Sequence, residues 1–493
     1  MPKLECMPDQ VVRVIIRLLL AVLFCASLKP PILAAQISSQ PAEAKTIGAV
    51  RVESGSGQAI SPTFMGLSHE WFDSQRMMGS SRTGVNQIYR QLLKNLLAYG
   101  SGPVQLRIGG NSTDRTKEPT PQTVEPFADV ARSVGAKFTL GVNLGSGNVK
   151  LAADQTQAYL RDMPPGSVDG IEIGNEPDEY FKNGLRQSTY RAEDYFADFD
   201  AWKAQIVPLL PSGTRLVGPS WAFPQTMRVN VRRFVSTEAK TLSSFSQHYY
   251  ATNPQSKPAD DFLLTPRAAT SGPAEVAAAV ATMHSYGVPF RMGEFSSISN
   301  EGVHGVSDTF ASALWAVDTM FEYANVGVDG VNWEASSGNY DNPFYFNIST
   351  SQNKTTYTLK TVCPLYYGLL LFQAATGNNA HLVSAHLSTQ ANLKAWATVD
   401  ATGTKRLVLI NKDKTTSGMV SVTAESYRQA VVMRLTAPSY TATEGVAFAG
   451  QTFDRSTDGT LQGTRTAETI KGSGGVFQIP MAGTSAALIT FNK

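Results

Sequence analysis

The sequence contains little cysteine and no cluster of metal-binding side chains. Of three cysteines among 493 residues, Cys6 and Cys25 fall within the first 30, which leaves Cys363 alone in the body of the chain. A single cysteine cannot form an internal disulfide. The six histidines are scattered, and none shares the spacing of a metal site with cysteine. We therefore expect no metal-dependent catalysis and no cofactor, while the pattern leaves a structural calcium ion open.

The chain also lacks net charge outside its first 35 residues. The formal charge is +2, and the first 35 residues account for it because they hold four basic and two acidic side chains. The remainder is formally neutral, so we expect no electrostatic attraction to nucleic acid or to an anionic membrane. An acidic substrate would have to be bound by local positive or hydrogen-bonding groups.

Long hydrophobic runs are absent except for one segment near the start. Residues 18–28 form an apolar run of about eleven residues, which is too short to span a bilayer as a helix. Basic residues precede this run, Pro30 and Pro31 end it, and small residues follow. This order is typical of a signal peptide over residues 1–35, cleaved between 35 and 45, and predicts a secreted or periplasmic protein. The alternative is an uncleaved membrane anchor.

Strand-like and helix-like segments alternate regularly between residues 63 and 378. Eight such units predict a (β/α)8 barrel. An open doubly wound sheet is the alternative, but Gly109-Gly110-Asn111 lacks the glycine spacing of a phosphate-binding loop. The eight apolar runs are Phe64–Leu67, Val104–Ile108, Lys137–Val142, Val168–Gly174, Thr214–Gly218, Ser244–Tyr249, Val288–Gly293 and Val328–Trp333, and later helices are predicted over 272–286, 307–324 and Pro364–Ala375.

The sequence pattern changes near residue 380. Short alternating runs such as Leu393–Val399 and Arg406–Ile410 are separated by glycine, threonine, serine, aspartate and asparagine, which indicates a β-sandwich over 379–493. Before the barrel, Ile47–Val52 reads as one further strand within the segment 36–62. We therefore expect an accessory sandwich domain built from both chain termini.

Two of the predicted barrel strands end in a glutamate. Glu176 follows strand four within Gly174-Asn175-Glu176-Pro177, and Glu294 ends strand seven, 118 residues later. Barrel enzymes carry their chemistry at the C-terminal ends of strands, so the two carboxylates would face each other across the barrel mouth. Glycoside hydrolysis needs such a pair, one a protonated acid and one an anion. Asn175 is then placed to contact the sugar 2-hydroxyl, and Glu172 would lie deeper as a structural residue.

Five stretches resemble glycoside hydrolase family 79, the β-glucuronidase and heparanase family, and in particular its bacterial members. The likeness extends over essentially the whole chain after the signal segment and implies a retaining β-glycosidase with acid/base and nucleophile on strands four and seven. The five stretches are 64–70 (FMGLSHE), 106–112 (LRIGGNS), 172–177 (EIGNEP), 247–250 (QHYY) and 305–315 (GVSDTFASALW).

The resemblance implies roles for individual residues. Glu176 would be the acid/base and Glu294 the nucleophile, with Tyr249 donating a hydrogen bond to it. Arg107 would support the catalytic carboxylates. Further contacts to substrate are implied for Asn175 at the 2-hydroxyl, Glu70 at outer hydroxyls, and Asn111 and Ser112 at the pocket rim.

The loops after strands seven and eight depart from the family pattern. Family β-glucuronidases hold the sugar carboxylate with a tyrosine and glycine-rich backbone after the nucleophile, and with a tyrosine after strand eight. Here the first loop offers Ser299 and the backbone of Gly302 instead, and its Glu301 is expected to point to solvent. After strand eight, Tyr340 is the candidate tyrosine, and Glu334 is an unexpected acid that suits the hydroxyls of a neutral sugar.

These departures leave the substrate open. The favoured function is hydrolysis of terminal β-linked glucuronic acid, by exo action. The alternatives are a retaining β-glycosidase for a neutral sugar, such as a β-glucosidase or β-galactosidase, and a carbohydrate-binding barrel without activity. The predicted partner is a carbohydrate or glycoside, with no nucleic acid and no membrane after cleavage, and the oligomeric state is not predicted.

Overall fold

The computed structural model describes residues 45–117, 119–336 and 340–493. The predicted signal peptide over residues 1–35 lies outside the described residues. None of the helices within those ranges combines the length and the apolar character needed to cross a membrane.

Eight parallel strands close into a barrel, which confirms the predicted fold class. The strands follow one another around the barrel in chain order, and the last pairs with the first. They are β2 (Met65–Glu70), β5 (Gln105–Gly109), β6 (Lys137–Val142), β7 (Val168–Ile173), β8 (Arg215–Trp221), β9 (Leu242–Thr252), β10 (Phe290–Ile298) and β11 (Gly330–Glu334), preceded in the chain by β1 (Thr46–Val52) and interrupted by the short hairpin β3 (Gly79–Ser80) and β4 (Gly84–Val85).

Within the described ranges, nine α-helices follow or cover these strands, and local signals set where several of them begin. The Asn86 side chain accepts a hydrogen bond from the Tyr89 backbone amide and starts the second helix, while Thr120 and Thr123 form a capping box before Pro121 of the third. The helices are α1 (Trp71–Met78), α2 (Gln87–Tyr99), α3 (Pro121–Val134), α4 (Val149–Asp162), α5 (Ala192–Ile206), α6 (Pro224–Glu238), α7 (Pro266–Ser285), α8 (Phe310–Asn325) and α9 (Pro364–Thr376).

Two predicted helix starts differ from the observed ones. The helix predicted from residue 272 begins at Pro266, where Thr265 caps it. The helix predicted from residue 307 begins at Phe310, because the Asp308 carboxylate accepts the Gly305 backbone amide at 2.7 Å and holds a tight loop before the helix. The pattern of apolar residues marks the body of a helix, while its first turn depends on such local bonds.

A two-stranded hairpin that the sequence did not predict lies between the last barrel strand and the last helix. It consists of β12 (Phe344–Ser351) and β13 (Lys354–Val362), which pair with each other antiparallel. The hairpin packs Phe344 and Phe346 against Tyr89 of α2. Apolar residues alternate along both strands, at Phe344, Phe346 and Ile348 and at Tyr357 and Leu359, so the signal for this hairpin was present in the sequence.

The remaining strands form two further sheets, and the chain start contributes to one of them as predicted. β1 pairs antiparallel with one C-terminal strand and parallel with another, in the order β15-β1-β18-β22. The second sheet has seven strands. The strands concerned are β14 (His381–Val383), β15 (Ala385–Thr389), β16 (Leu393–Val399), β17 (Lys405–Asn411), β18 (Gly418–Thr423), β19 (Gln429–Thr436), β20 (Ala447–Phe448), β21 (Glu468–Lys471), β22 (Val476–Met481) and β23 (Ser485–Asn492).

A fully buried ion pair joins the barrel to the sandwich. The Lys412 ammonium donates to the Asp318 carboxylate of α8 at 2.6 Å, and both side chains are 0% exposed. The Trp396 indole of β16 donates to the other oxygen of the same carboxylate at 3.0 Å. Because both carboxylate oxygens are bonded, the charge buried at this junction is compensated.

Lys412→Met tests the junction, since it leaves Asp318 buried with an unpaired charge. Removing one partner of a buried pair costs about 3–5 kcal/mol, whereas replacing both by apolar groups is often close to neutral. We expect Lys412→Met to lower the free energy of unfolding, measured by urea denaturation, by that amount. The double variant Lys412→Met with Asp318→Leu should recover most of the loss. A single variant as stable as the parent would show that the pair contributes nothing.

Candidate active site

A cavity of about 950 Å³ opens where the barrel strands end. Its lining includes both predicted catalytic residues, Glu176 and Glu294, together with Glu70 from β2 and Glu334 from β11. The cavity therefore lies at the end of the barrel where such enzymes carry their chemistry.

Glu176 sits in a tight turn directly after β7. Its backbone lies in the left-handed region, with φ at 49°, and its amide donates to the Ser220 carbonyl at 3.0 Å. A non-glycine residue in this region carries strain that neighbouring bonds must offset. Glu294 lies within β10, on the strand itself. The backbone of a tight turn therefore positions Glu176, and the backbone of a strand positions Glu294.

The two glutamates are close together. One carboxylate oxygen of Glu176, one of Glu294 and a ring nitrogen of His248 lie within 4.8 Å of one another. Retaining glycosidases keep their carboxyl groups about 5–5.5 Å apart, and inverting ones about 6.5–9.5 Å. An approach of the nearest carboxylate oxygens to within 4.8 Å fits the shorter spacing of the retaining class.

Arg107 of β5 ties the catalytic strands together from below. Its Nη1 donates to the Glu294 carboxylate at 2.8 Å and to the Ser68 hydroxyl at 3.0 Å. Its Nε donates to Glu172 at 2.7 Å, and its Nη2 donates to the Asn175 side-chain oxygen at 2.7 Å. Arg107 and Glu172 are both 1% exposed. As the sequence suggested, Arg107 contacts the Glu294 carboxylate, and Glu172 is a buried partner of Arg107.

The paired glycines after β5 make room for two charged groups. A side chain at Gly109 would bring its Cβ within 2.8 Å of the Arg107 guanidinium, and one at Gly110 would overlap the Glu70 carboxylate. Gly110 also has φ at 72°, which other residues rarely adopt. Gly109 and Gly110, which lack the spacing of a phosphate-binding loop, therefore leave space for the Arg107 guanidinium and the Glu70 carboxylate.

Glu70 is held by the loop that follows these glycines. Its carboxylate accepts the Asn111 amide at 2.9 Å, the Ser112 amide at 3.0 Å and the Ser112 hydroxyl. Burial raises the pKa of Glu70, and the charge of Glu294 adds to this, against the lowering by these hydrogen bonds. Asn111 is an exposed residue on the cavity wall, whereas Ser112 is buried and its donors are used on Glu70.

The sixth barrel strand, β9, carries two residues that bond to Glu176 and Glu294. His248 Nδ1 shares a hydrogen bond of 3.0 Å with Glu176, and the Tyr250 hydroxyl donates to Glu294 at 2.7 Å. Tyr249, predicted to donate that bond, does not; its ring turns outward against Gly272 of α7. Alternate residues of a strand face opposite sides, so the pair at 248 and 250 excludes 249. Tyr249 nevertheless lines the cavity.

The surroundings of Glu294 favour its charged form. Burial of the carboxyl works to raise its pKa, but attraction from His248 and Arg107, with hydrogen bonds from Tyr250 and Arg107, outweighs burial and holds the pKa below its usual value. Glu294 is therefore ionised at neutral pH, which is the state that a nucleophile needs.

Two further carboxyl groups line the wall near β11. Glu334 is 7% exposed and accepts the Ser336 amide at 3.1 Å. Asp341, which the sequence did not single out, is 2% exposed and also lines the cavity. Burial raises the pKa of Asp341 to about 7 and raises that of Glu334 well above its usual value, with the charge of Glu294 acting in the same direction.

Two predicted pocket residues are not brought to the site. Tyr340 is 47% exposed and its ring packs against His304. Gly302 lies against Ser307 and Asp341 behind the cavity wall, where it leaves no space for a side chain. The reason is the same for both, since the Tyr340 amide donates to the Glu301 carbonyl and ties the two loops together at the surface. Ser299 and the exposed Glu301 do line the cavity mouth.

Sequence reasoning missed His248, Tyr250, Asp341 and Asp178. Asp178 accepts the amides of Ala222 and Phe223 at 2.9 and 3.0 Å and fixes the turn that carries Glu176. Burial raises the pKa of Asp178 to about 6. Strand geometry places 248 and 250 on one face, but the residues Gln247-His248-Tyr249-Tyr250 do not indicate which face points into the barrel.

A closed barrel of eight parallel strands with facing glutamates on strands four and seven defines a retaining type of barrel glycoside hydrolase. Comparison with known proteins makes the class specific. Residues 395–488 match the family model described as "Glycosyl hydrolase family 79 C-terminal beta domain". A curated β-glucuronidase of Aspergillus niger is 24% identical over 480 residues, covering 82% of this chain and 86% of the relative. The C-terminal domain therefore matches the model of glycoside hydrolase family 79, and the chain is similar over most of its length to a β-glucuronidase.

The chain is similar to further proteins. A curated β-glucuronidase of Neurospora crassa is 24% identical over 386 residues, covering 66% of this chain and 68% of its own. Among solved structures, a 4-O-α-L-rhamnosyl-β-D-glucuronidase from Fusarium oxysporum superposes with a TM-score of 0.68 at 20% identity, over 91% of this chain and 99% of that one. A GH51 arabinofuranosidase from Xanthomonas axonopodis reaches 0.67 at 16% identity, over 91% and 100%. These two structures share the fold.

Tyr250→Phe tests the strand-six assignment, because it removes one hydrogen bond to a charged carboxylate. Such a bond contributes about 1.5–3 kcal/mol, so kcat on an aryl β-glycoside should fall about tenfold to a hundredfold. The bond lowers the pKa of Glu294; its loss raises that pKa and moves the acidic limb of kcat/KM to higher pH. The matched control is Tyr249→Phe, which removes a hydroxyl from the outward face. Equal losses in both variants would contradict the assignment.

Proposed function

We propose that the protein is an exo-acting, retaining β-glucuronidase with Glu294 as nucleophile and Glu176 as acid/base. The observation that carries this proposal is the close approach of the two carboxylates, within 4.8 Å, in a cavity at the strand ends. The different partners of the two groups support the division of roles: Glu294 has the guanidinium of Arg107, whereas Glu176 shares its bond with an imidazole.

In the first step the Glu294 carboxylate attacks the anomeric carbon of the sugar. The bond from that carbon to the leaving oxygen breaks, and Glu176 transfers its proton to this oxygen. Tyr250 and Arg107 hold the two carboxylate oxygens of Glu294, so the attacking group is oriented before the sugar arrives. Asn175, fixed by Arg107, is available to the 2-hydroxyl.

In the second step water replaces the enzyme on the anomeric carbon. Glu176, now a carboxylate, takes a proton from the attacking water while the ester bond to Glu294 breaks. The sugar leaves with the β configuration it had in the substrate, and both glutamates return to their starting states. His248 Nδ1 is bonded to Glu176 and so keeps its carboxyl directed at the cavity through both steps.

The choice of glucuronic acid is supported by the relatives. Both curated relatives are β-glucuronidases, and the Fusarium oxysporum enzyme is a 4-O-α-L-rhamnosyl-β-D-glucuronidase. A neutral-sugar β-glycosidase is the second candidate, and the buried carboxyl groups of Glu334 and Asp341 on the cavity wall are the observation that favours it.

Variants of the two glutamates test the roles. Glu176→Ala should lose about 10²–10⁴-fold in kcat on a substrate with a poor leaving group. Much less should be lost on one with an activated leaving group, and added azide should give the β-glycosyl azide. Glu294→Ala should be inactive on both and give the α-azide from an activated substrate. Glu193→Ala, at an exposed residue of α5, is the control. Activity of Glu294→Ala comparable with the parent would refute the nucleophile assignment.

A panel of 4-nitrophenyl glycosides tests the sugar. We expect kcat/KM for the β-glucuronide to exceed the values for the β-glucoside and β-galactoside by at least about a hundredfold, which corresponds to about 2.7 kcal/mol. Proton NMR of the reaction should detect the β anomer first. Preference for a neutral sugar would replace the proposed specificity and leave the mechanism in place.

The proposal includes export of the protein, to the periplasm or beyond the cell. The basic start, the short apolar run over 18–28 and the small residues that follow support a cleaved signal. N-terminal sequencing of the exported protein, with a new terminus expected between residues 35 and 45, is the test.

A further inference from the structure

The cavity wall at the end of β11 combines two buried carboxyl groups with an unpartnered acceptor. Glu334 and Asp341 both line the cavity and are 7% and 2% exposed. One Glu334 oxygen accepts the Ser336 amide at 3.1 Å, but Asp341 Oδ1 is buried and has no hydrogen-bond partner among the residues that the structure describes. An unpartnered buried oxygen is costly unless a proton or a ligand completes it.

No cation compensates these two groups within the described part of the chain, where neither takes part in an ion pair. Arg107, the nearest guanidinium on the catalytic floor, donates all its bonds to Ser68, Glu172, Asn175 and Glu294. The titratable and charged groups that face Glu334 and Asp341 are Glu70 of β2, Tyr250 of β9, Glu294 of β10, Glu301 of the next loop, Tyr345 of the hairpin and Cys363 before α9.

Buried carboxyl groups that line one cavity and repel one another are not all ionised. Glu294 remains charged because Arg107 and Tyr250 bind it, so the proton goes to the groups that have no such partners. Burial raises the pKa of Asp341 to about 7 and that of Glu334 well above its usual value. A protonated carboxyl is a hydrogen-bond donor, whereas an ionised one can only accept.

The geometry of a pyranose directs one substituent to this wall. Ring carbons C2 and C5 occupy opposite corners of the six-membered ring. Strands four and eight likewise lie opposite each other in the eight-stranded barrel. If Asn175 at the end of strand four contacts the 2-hydroxyl, the substituent on C5 points to the end of strand eight, where Glu334 lies. In a glucuronide that substituent is the carboxylate.

We propose that Glu334, together with Asp341, retains a proton and donates it as a hydrogen bond to the C5 carboxylate of a bound β-glucuronide. This inference rests on the proposed function. The two buried acids would repel a uronate if they were ionised, but in their protonated form they recognise it. The site then accepts a uronate only while the pair holds its proton. Ionisation of the pair places negative charge against the sugar carboxylate and weakens binding, without removing the catalytic glutamates.

The test compares two substrates across pH with the intact protein. The 4-nitrophenyl β-D-glucuronide and β-D-xyloside share ring and leaving group, but the xyloside has no C5 substituent. We expect KM for the glucuronide to rise about tenfold for each pH unit above the ionisation of the pair, between about pH 6 and about pH 9. KM for the xyloside should stay within about threefold over the same range.

Glu334→Gln keeps a donor of the same shape that does not titrate. We expect this variant to reduce the alkaline rise of the glucuronide KM by at least about fivefold, and Asp341→Asn to act in the same direction. The matched control is Glu275→Gln, which changes a carboxylate on the outer wall of the same cavity that pairs with Arg228. It should leave the rise as in the parent. Circular dichroism and the melting temperature report whether each variant is folded.

The outcomes separate this inference from the function on which it rests. Hydrolysis of neutral glycosides without glucuronide turnover at any pH would reject the proposed function. Glucuronide turnover with the same alkaline KM behaviour as the xyloside would overturn the inference alone, and the parent protein decides this even if a variant fails to fold. A rise that persists unchanged in both folded variants would overturn it as well.

Discussion

The active site depends on one buried cation. Arg107 lies under the cavity with 1% of its side chain exposed and binds groups from strands one, four and seven. Burial disfavours the charged guanidinium, but the carboxylates of Glu172 and Glu294 outweigh it and raise its pKa. Because an unpaired buried charge is so unfavourable, these partners are fixed as firmly as Arg107 itself. Through Glu294 and through Asn175, the neighbour of Glu176, Arg107 connects the two strand ends that carry these glutamates.

The same cation divides the carboxyl groups of the cavity into two kinds. Glu294 has a guanidinium and a tyrosine hydroxyl beside it and carries a charge. Glu334 and Asp341 have neither, and the charge of Glu294 acts on both. Environment and not residue type therefore determines which acid attacks and which can donate, as expected where several titratable groups share a low-dielectric site.

Periodicity and strand ends were enough to predict the barrel and the sandwich, and to single out Glu176 and Glu294 as a pair. They were not enough to choose between Tyr249 and Tyr250, because that choice depends on which face of β9 points inward. The arrangement of the loop after β11 could not be predicted either. Tyr340 satisfies the family pattern in sequence but lies at the surface, while Asp341 beside it is buried. Strands can be predicted from short-range sequence patterns, whereas the conformation of these loops depends on contacts between them.

The buried acids bear on how a formally neutral protein can bind an acidic sugar. A cation at the C5 wall would attract a uronate, but it would also pair with Glu294 and compete with Arg107 for the nucleophile. A protonated carboxyl provides a donor without adding positive charge beside the attacking group. Because proton and substrate then favour each other's binding, an anionic sugar at this wall would raise the pKa of the acids that hold it, by the reciprocity that links any two ligands. The substrate would thereby stabilise the protonation state by which it is recognised, and a neutral sugar would not.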